Sequence, residues 1–232
     1  MKKIIYILSI IFSLTTLISC EMTSEDPSKI TYFVDLSMNG DEVIILPMGQ
    51  TFNDPGCVAI VNGEDISSQI VVKGAVNTEK GGVYTLNYLA ANEDGISKIL
   101  SRVVYVYDTT ESPIQSGFYT TLNTSSRVYD SGTPVLFGGY KTVIIQTEPG
   151  KFYSSDLLGG WYHQRAGYAD GAMTGNFILN EDNSIELVNS YIGTWKDGLD
   201  FMANAKCDPE NGTIYWEVDY AEIMTFFITL SK

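Results

Sequence analysis

Residues 83–88 read VYTLNY and residues 102–108 read RVVYVYD. Both stretches are rich in β-branched and aromatic residues, and in the first of them Tyr84, Leu86 and Tyr88 occupy every second position. A period of two places these three side chains on one face of a β-strand. The two stretches therefore predict strands, and no long 3.6-residue apolar repeat beyond the N-terminal segment predicts a helix.

The second half of the chain repeats this strand pattern in five further stretches: Thr142–Gln146, Asn176–Leu179, Ser184–Val188, Thr213–Val218 and Thr225–Leu230. Turn-forming residues separate the strands along the chain, at Asn62-Gly63, Glu93–Gly95, Asn180–Ser184 and Asp208–Gly212. Short strands joined by polar turns predict an all-β fold built of sandwiches or barrels.

The composition limits the classes of function. The chain has 232 residues, of which 44% are hydrophobic and 12% aromatic, as in a globular protein rather than a disordered one. Its net charge of −14, from 28 acidic and 14 basic residues, argues against nucleic-acid binding, because phosphates require a basic surface. The sequence contains no Gly-rich phosphate loop or dinucleotide fingerprint, so no cofactor is predicted.

The N-terminal segment has the features of an export signal. Lys2 and Lys3 precede an apolar run that ends at Ile18 and is too short for a stable membrane span. Leu17-Ile18-Ser19-Cys20 resembles the lipobox of bacterial lipoproteins, which implies a signal peptide at 1–19 and a lipid anchor on Cys20. The alternative is an ordinary signal peptide that ends near a cysteine.

Residues 20–30 are polar and acidic, as in a flexible tether. Glu21, Glu25 and Asp26 in this tether resemble the surface-export signal of lipoproteins from Bacteroidota. We therefore expect a protein that is lipid-anchored in the outer membrane and exposed at the cell surface.

The next unit, residues 31–108, contains four blocks in a characteristic order: PMGQTFNDPGCVA at 47–59, GVYTLNYLA at 82–90, EDG at 93–95 and RVVYV at 102–106. These blocks resemble, in the family's order, bacterial Ig-like domains of the pesticidal-crystal-protein type. Asp54-Pro55-Gly56 is turn chemistry, because Asp bonds nearby backbone, Pro fixes φ and Gly permits a positive φ. Cys57 departs from the family pattern. The resemblance implies an Ig-like β-sandwich, which we interpret as a spacer rather than a binding domain.

A polar linker at 109–113 leads to the C-terminal unit, residues 114–232. Three blocks of this unit resemble the C-terminal domain of small two-domain lipoproteins encoded beside outer-membrane glycan-uptake systems: GKFYSSDLLGGWYHQRAGYADG at 150–171, LNEDNSIELV at 179–188 and CDPENGTIYWEV at 207–218. That family has no known function and a lipocalin-like appearance, which implies a second β-sandwich or a barrel-like domain.

Two cysteines remain beyond Cys20. Cys57 and Cys207 could form a disulfide in an oxidising compartment, but we favour two separate buried thiols. Neither cysteine has other metal ligands at zinc spacing, so no metal site is predicted.

The stretch from Gly150 to Gly171 contains the chain's single histidine, His163, and allows three interpretations. For catalysis it offers Ser154, Ser155, Asp156 and Asp170, but no nucleophile-elbow motif, and we do not predict an enzyme. A purely structural interpretation has Trp161 in the core, Asp156 bonded to backbone N–H groups of a glycine bend, and Arg165 paired with an acid.

The third interpretation is carbohydrate binding, because aromatic faces stack on sugars and planar polar groups bond their hydroxyls. The candidate ligand-binding residues are Trp161, Tyr162, His163, Gln164, Arg165, Tyr168 and Asp170. We predict a non-catalytic binding protein whose partner is an oligosaccharide or polysaccharide. The alternative is a structural or protein-interaction partner of an outer-membrane transporter complex that binds no glycan.

Overall fold

The computed structural model describes residues 30–130 and 132–232, which are almost entirely β-structure. Two small sheets are formed by residues 35–107 and one large sheet by residues 117–231. The predicted all-β fold is confirmed, and each predicted strand coincides with an observed one, except that Asp108 and Ser184 lie just outside β7 and β14. The predicted signal peptide, Cys20 and nearly all of the predicted tether lie outside the described residues.

The N-terminal domain is a sandwich of a three-stranded and a four-stranded sheet. Its strands are β1 Asp35–Met38, β2 Val43–Pro47, β3 Cys57–Val61, β4 Glu64–Asp65, β5 Val71–Lys73, β6 Gly82–Ala91 and β7 Ser97–Tyr107. A 3₁₀ turn at Ser67–Gln69 precedes β5. The sheet orders are β1-β3-β4 and β2-β7-β6-β5, with β2 and β7 parallel. The pattern in β6 is as predicted, since Leu86 and Tyr88 are buried while Val83 and Thr85 are exposed.

The Asp-Pro-Gly turn of this domain has a second role that its turn chemistry did not predict. Asp54 accepts a hydrogen bond from the backbone N–H of Gly56 at 3.0 Å, as expected. The same carboxylate also receives the fully buried guanidinium group of Arg102 and the hydroxyl of Tyr88. A buried charge requires such pairing, so Tyr88 and Arg102 hold the turn against β6 and β7.

The C-terminal domain is built of antiparallel strands. Its strands are β8 Gly117–Thr121, β9 Ser125–Tyr129, β10 Val135–Phe137, β11 Lys141–Glu148, β12 Lys151–Ser154, β13 Met173–Leu179, β14 Ile185–Ile192, β15 Phe201–Asp208, β16 Thr213–Tyr220 and β17 Met224–Ser231. β11 to β14 pair in succession, β15 to β17 do the same, and β8 joins the two groups by pairing with both β17 and β11. The Ser184–Lys206 bridge links β14 to β15 across the remaining seam, which makes a partly closed barrel.

Large side chains fill the interior of this barrel. The rings of Phe152 and Phe177 stack with their centroids 5.3 Å apart, and the centroids of Phe177 and Trp216 are 6.1 Å apart. All three rings are fully buried. The indole N–H of Trp216 donates to the carbonyl oxygen of Leu157 at 2.8 Å. Of the two predicted architectures for this domain, the structure has the barrel-like one.

Cys57 and Cys207 are both free thiols, so the prediction of separate cysteines is confirmed; Cys207 is buried as expected, whereas Cys57 is only half-buried. Burial raises the pKa of both thiols, which keeps them protonated.

The linker is exposed, but the two domains contact each other beside it. Val143 and Ile145 of β11 pack with Tyr105 of β7 in one buried cluster. The backbone N–H of Asp108 donates to the carbonyl oxygen of Gln146 at 2.8 Å. An apolar junction of this kind restricts relative domain motion.

Candidate functional site

A buried carboxylate organises the loop between β12 and β13. Asp156 accepts hydrogen bonds from the backbone N–H groups of Leu158 at 2.9 Å, Gly160 at 3.1 Å and Met173 at 3.3 Å. Burial raises the pKa of Asp156 to about 7, although the three donors oppose the shift. The expected structural role of Asp156 in the glycine bend is confirmed.

The bend leads into a π-helix, Trp161–Arg165. Gly160 precedes it with φ of +86°, and a Cβ atom there would lie 2.4 Å from the Cβ of Tyr140. A residue with a side chain is therefore excluded at this position on both backbone and steric grounds. The π-helix follows a close approach of backbone to Tyr140, which the sequence pattern did not reveal.

Trp161 is buried, and the prediction that its ring stacks on a ligand is wrong. The ring is 4% exposed and makes edge contacts with Phe137 at 4.8 Å and Phe226 at 5.9 Å. The bend anchored by Asp156 directs the first residue of the π-helix into the barrel, so the structural interpretation is correct for Trp161.

Gln164 is also engaged within the protein. Its amide oxygen accepts from the backbone N–H of Lys141 at 3.0 Å, and its amide nitrogen donates to the carbonyl oxygen of Lys141 at 2.7 Å. This pair of hydrogen bonds ties the π-helix to the start of β11. The prediction that Gln164 recognises a ligand is therefore not supported by its position.

The remaining predicted residues lie at the surface. Tyr162 is half-buried, whereas His163, Arg165, Tyr168 and Asp170 are exposed. The imidazole Nδ1 of His163 lies 3.1 Å from the carbonyl oxygen of Tyr168, which closes the loop on itself.

Arg165 lies over the ring of Trp161, with its guanidinium carbon 4.0 Å from the ring centroid. Within the described residues Arg165 has no carboxylate partner. The expected ion pair of Arg165 is therefore not found in this part of the chain.

An aromatic surface is formed by the half-buried Tyr162 and the exposed Tyr168 and Trp195. The ring centroids are separated by 4.8 Å between Tyr162 and Trp195, 5.3 Å between Tyr168 and Trp195, and 6.2 Å between Tyr162 and Tyr168. Tyr168 is 46% exposed and Trp195 is 43% exposed. The ring of the buried Tyr220 contacts both Tyr162 and Trp195, with ring centroids 6.0 Å and 6.2 Å apart respectively.

Sequence reasoning missed Trp195. This residue belongs to the turn after β14, where Lys196 has a positive φ of 59° and Ile192 pairs with Asp197. The backbone N–H of Thr194 donates to the carbonyl oxygen of Asp170 at 3.0 Å, which brings the two loops together. The signal in the sequence was GTWKDG at 193–198, an aromatic residue between glycines, but its spatial partner could not be read from the pattern.

Three of the catalytic candidates are buried or bonded to backbone. Ser154 is buried, the hydroxyl of Ser155 accepts from the backbone N–H of Val143 at 2.8 Å, and the carboxylate of Asp156 is occupied by backbone donors. Among the described residues, no group of three or more histidine, cysteine or acidic side chains is arranged to hold a metal ion. The helices in this part of the chain are all too short or too polar to cross a membrane.

Comparison with known proteins agrees with this architecture. A family model described as the Ig-like domain of bacterial surface proteins matches residues 36–106, and a second model, for a C-terminal domain, matches residues 108–232. The crystal structure of the lipoprotein BT2262 from Bacteroides thetaiotaomicron is 48% identical, with a TM-score of 0.78 over 86% of this chain and 100% of that one. The chain belongs to the same family as BT2262. The predicted combination of an Ig-like domain with a separate C-terminal domain is therefore confirmed.

Two structures of Clostridium perfringens ZmpB are far more distant. One contains the M60 catalytic domain with the CBM51-1 and CBM51-2 domains; it is 11% identical, with a TM-score of 0.29 over 88% of this chain and 24% of that one. The other contains CBM51-2 with GlcNAc and INT domains; it is 12% identical, with a TM-score of 0.27 over 84% of this chain and 43% of that one. Neither likeness supports an inference. No curated protein matches the chain.

Proposed function

We propose that the protein is a lipid-anchored protein of the outer-membrane surface that binds a carbohydrate through the aromatic surface without catalysis. The location is supported by the lipobox-like stretch ending at Cys20, by the surface-protein Ig-like domain, and by similarity to a protein named as a lipoprotein. The Ig-like domain then acts as a spacer between the membrane and the C-terminal domain.

The observation that carries the binding function is the side-by-side exposure of Tyr168 and Trp195. Their rings are 5.3 Å apart, and both contact Tyr162, whose ring packs on the buried Phe226 at 6.2 Å. Exposed aromatic clusters mark binding surfaces, because isolated apolar residues are common but contiguous ones are not. Rings held by such packing lose little conformational entropy when a sugar face stacks on them.

Polar groups beside the rings provide partners for sugar hydroxyls. His163 and Asp170 are exposed on the same loop as Tyr168, and the imidazole and carboxylate groups can exchange hydrogen bonds with hydroxyls. The non-catalytic assignment is supported by the positions of the other candidates, since Ser155 and Asp156 bond to backbone within the fold.

Affinity electrophoresis in gels that contain galactomannan, xyloglucan or pectin tests this proposal. At least one polysaccharide should retard the protein, and both Trp195→Ala and Tyr168→Ala should abolish the retardation without changing the melting temperature by more than a few degrees. Tyr32→Ala is the matched control, because Tyr32 is an exposed ring on the Ig-like domain. Binding that survives loss of Trp195 would show that the aromatic surface is not the site.

A second candidate function is docking to a protein of an outer-membrane transporter complex. It is favoured by Val188 and Phe201, which are exposed on β14 and β15 on either side of the weakly paired seam. Val188→Asp and Phe201→Asp should then release the protein from complexes extracted from outer membranes in mild detergent. Retention of both variants in the complex would argue against this use of the seam.

A further inference from the structure

The chain contains three arginines, and two of them meet at one ring. Arg102 is buried in the Ig-like domain and paired with Asp54. Arg165 and Arg127 both lie over Trp161, with guanidinium carbons 4.0 and 4.7 Å from its ring centroid. Both arginines of the C-terminal domain are therefore placed on a single buried indole.

Neither of these two guanidinium groups is neutralised within the described residues. Both lack a carboxylate partner, although the chain has 28 acidic residues. Among the described residues, the Nε of Arg127 is buried without a hydrogen-bond partner, and its Nη1 has a hydrogen bond only to the sulfur of Met224, at 3.8 Å. Each guanidinium has five N–H donors, so both groups retain donors that an oxygen ligand can use.

The carboxylate of Asp219 lies on the other face of the sheet from Arg127. Arg127 is directly opposite Phe226, which is fully buried, so its side chain lies on the inner face. Asp219 instead accepts a hydrogen bond from Thr225, whose neighbours along β17 point inward. Since side chains alternate between faces, Asp219 and Arg127 are separated by the sheet.

The two arginines adjoin the aromatic surface. The hydroxyl of Tyr162 lies 3.3 Å from the sulfur of Met224, the same atom that Arg127 contacts. Arg165 follows Tyr162 in the π-helix and is exposed. A ligand that stacks on Tyr168 and Trp195 can therefore extend towards positive charge.

We propose that Arg127 and Arg165 form an anion subsite, and that the carbohydrate is acidic, with a uronate carboxylate bound there. This inference rests on the proposed carbohydrate-binding function. The planar guanidinium fork matches a carboxylate with two parallel hydrogen bonds, and stacking on Trp161 fixes the orientation of the fork. Trp161 thus contacts both guanidinium groups and does not contact the sugar.

Calorimetric titration with trigalacturonate tests the subsite, and its fully methyl-esterified form is the matched neutral ligand. The wild type should bind trigalacturonate at least about tenfold more tightly than the ester, because a charged hydrogen-bonded group contributes one or more factors of ten. Arg165→Gln should abolish this preference without affecting folding, since Arg165 is exposed. Arg127→Lys keeps the positive charge but lacks the planar guanidinium group, and it should also weaken the binding of trigalacturonate.

The outcomes separate the two proposals. The anion subsite is overturned if the wild type binds both trisaccharides equally and Arg165→Gln does not change that binding. The carbohydrate function still stands in that case if Trp195→Ala abolishes the binding. Failure of the polysaccharides and of both trisaccharides to bind overturns the carbohydrate function and the subsite together. If inorganic sulfate displaces trigalacturonate at an equal concentration, the site binds anions in general, and the assignment to a uronate is overturned.

Discussion

The Trp161→Ala substitution removes a ring that is 4% exposed and packs against Phe137 and Phe226. Truncation of a buried tryptophan costs about 3–5 kcal/mol, and loss of the two arginine contacts adds about 0.5–1 kcal/mol each. The total loss of about 4–7 kcal/mol is a large part of the roughly 5–15 kcal/mol by which a domain of this size is stable, so this variant should be strongly destabilised. The matched substitution Trp195→Ala should cost only about 0.5–1.5 kcal/mol, because that ring is largely at the surface.

Urea unfolding followed by tryptophan fluorescence measures both variants. All three tryptophans of the chain lie in the C-terminal domain, so the signal reports on that domain alone. The midpoint should fall steeply for Trp161→Ala and little for Trp195→Ala, with the same slope in both. Equal losses below about 1 kcal/mol would refute the argument that Trp161 is a core residue whose ring cannot serve a ligand.

Three further predictions concern the anchor, the buried acid and the domain junction. Cys20→Ala should abolish fatty-acid labelling of the protein and its recovery in the membrane-lipoprotein fraction; labelling that persists would contradict the anchor. Burial raises the pKa of Asp156 to about 7, whereas the pKa of an aspartate in the unfolded chain is ~3.9. Between these two pH values the folded state holds a proton that the unfolded state has lost. The contribution of Asp156 to the free energy of unfolding therefore falls by about 4 kcal/mol as the pH rises from about 4 to about 7. Asp156→Asn should remove that dependence, measured as the difference between the unfolding free energies of the two proteins at each pH; a difference that is the same at every pH would contradict it. Limited proteolysis should cut the exposed linker at 109–112, yet the two fragments should co-elute in native gel filtration because the apolar cluster around Ile145 holds them together; separate elution would show that the junction is weak.

The strands could be predicted because burial in this fold follows local alternation. In β6 the residues that alternate in the sequence also alternate between exposed and buried positions. The stretch Thr142–Gln146 contains a signal that alternation alone does not explain, since all five residues are buried. Ile144 faces the barrel core, while Val143 and Ile145 face the Ig-like domain. A continuous apolar run indicates burial on both faces, and here the second face is an interdomain contact.

The aromatic surface could be predicted only in part, because it combines local composition with contacts between distant loops. Tyr168 and its polar neighbours were identified from residue types in a glycine-broken stretch. The inward direction of Trp161 depends on the approach of Gly160 to Tyr140, and the position of Trp195 depends on the bond between Thr194 and Asp170. Neither contact produces a periodic pattern in the sequence. The sequence therefore could not show that Trp161 is buried and that Trp195 is exposed.

The π-helix explains why these two kinds of ring are adjacent in the chain. Asp156 and Gly160 fix its start, Trp161 anchors it in the core, and the next residue, Tyr162, lies between the core and the surface. A loss of binding in Trp161→Ala would therefore report collapse of the support rather than loss of a contact with the ligand. Trp195 and Arg165 are the informative positions, because both are exposed and their substitution leaves the Asp156 bend intact. If ligand recognition resides on this surface, changes at those two residues should alter affinity and selectivity while the unfolding midpoint stays near that of the wild type.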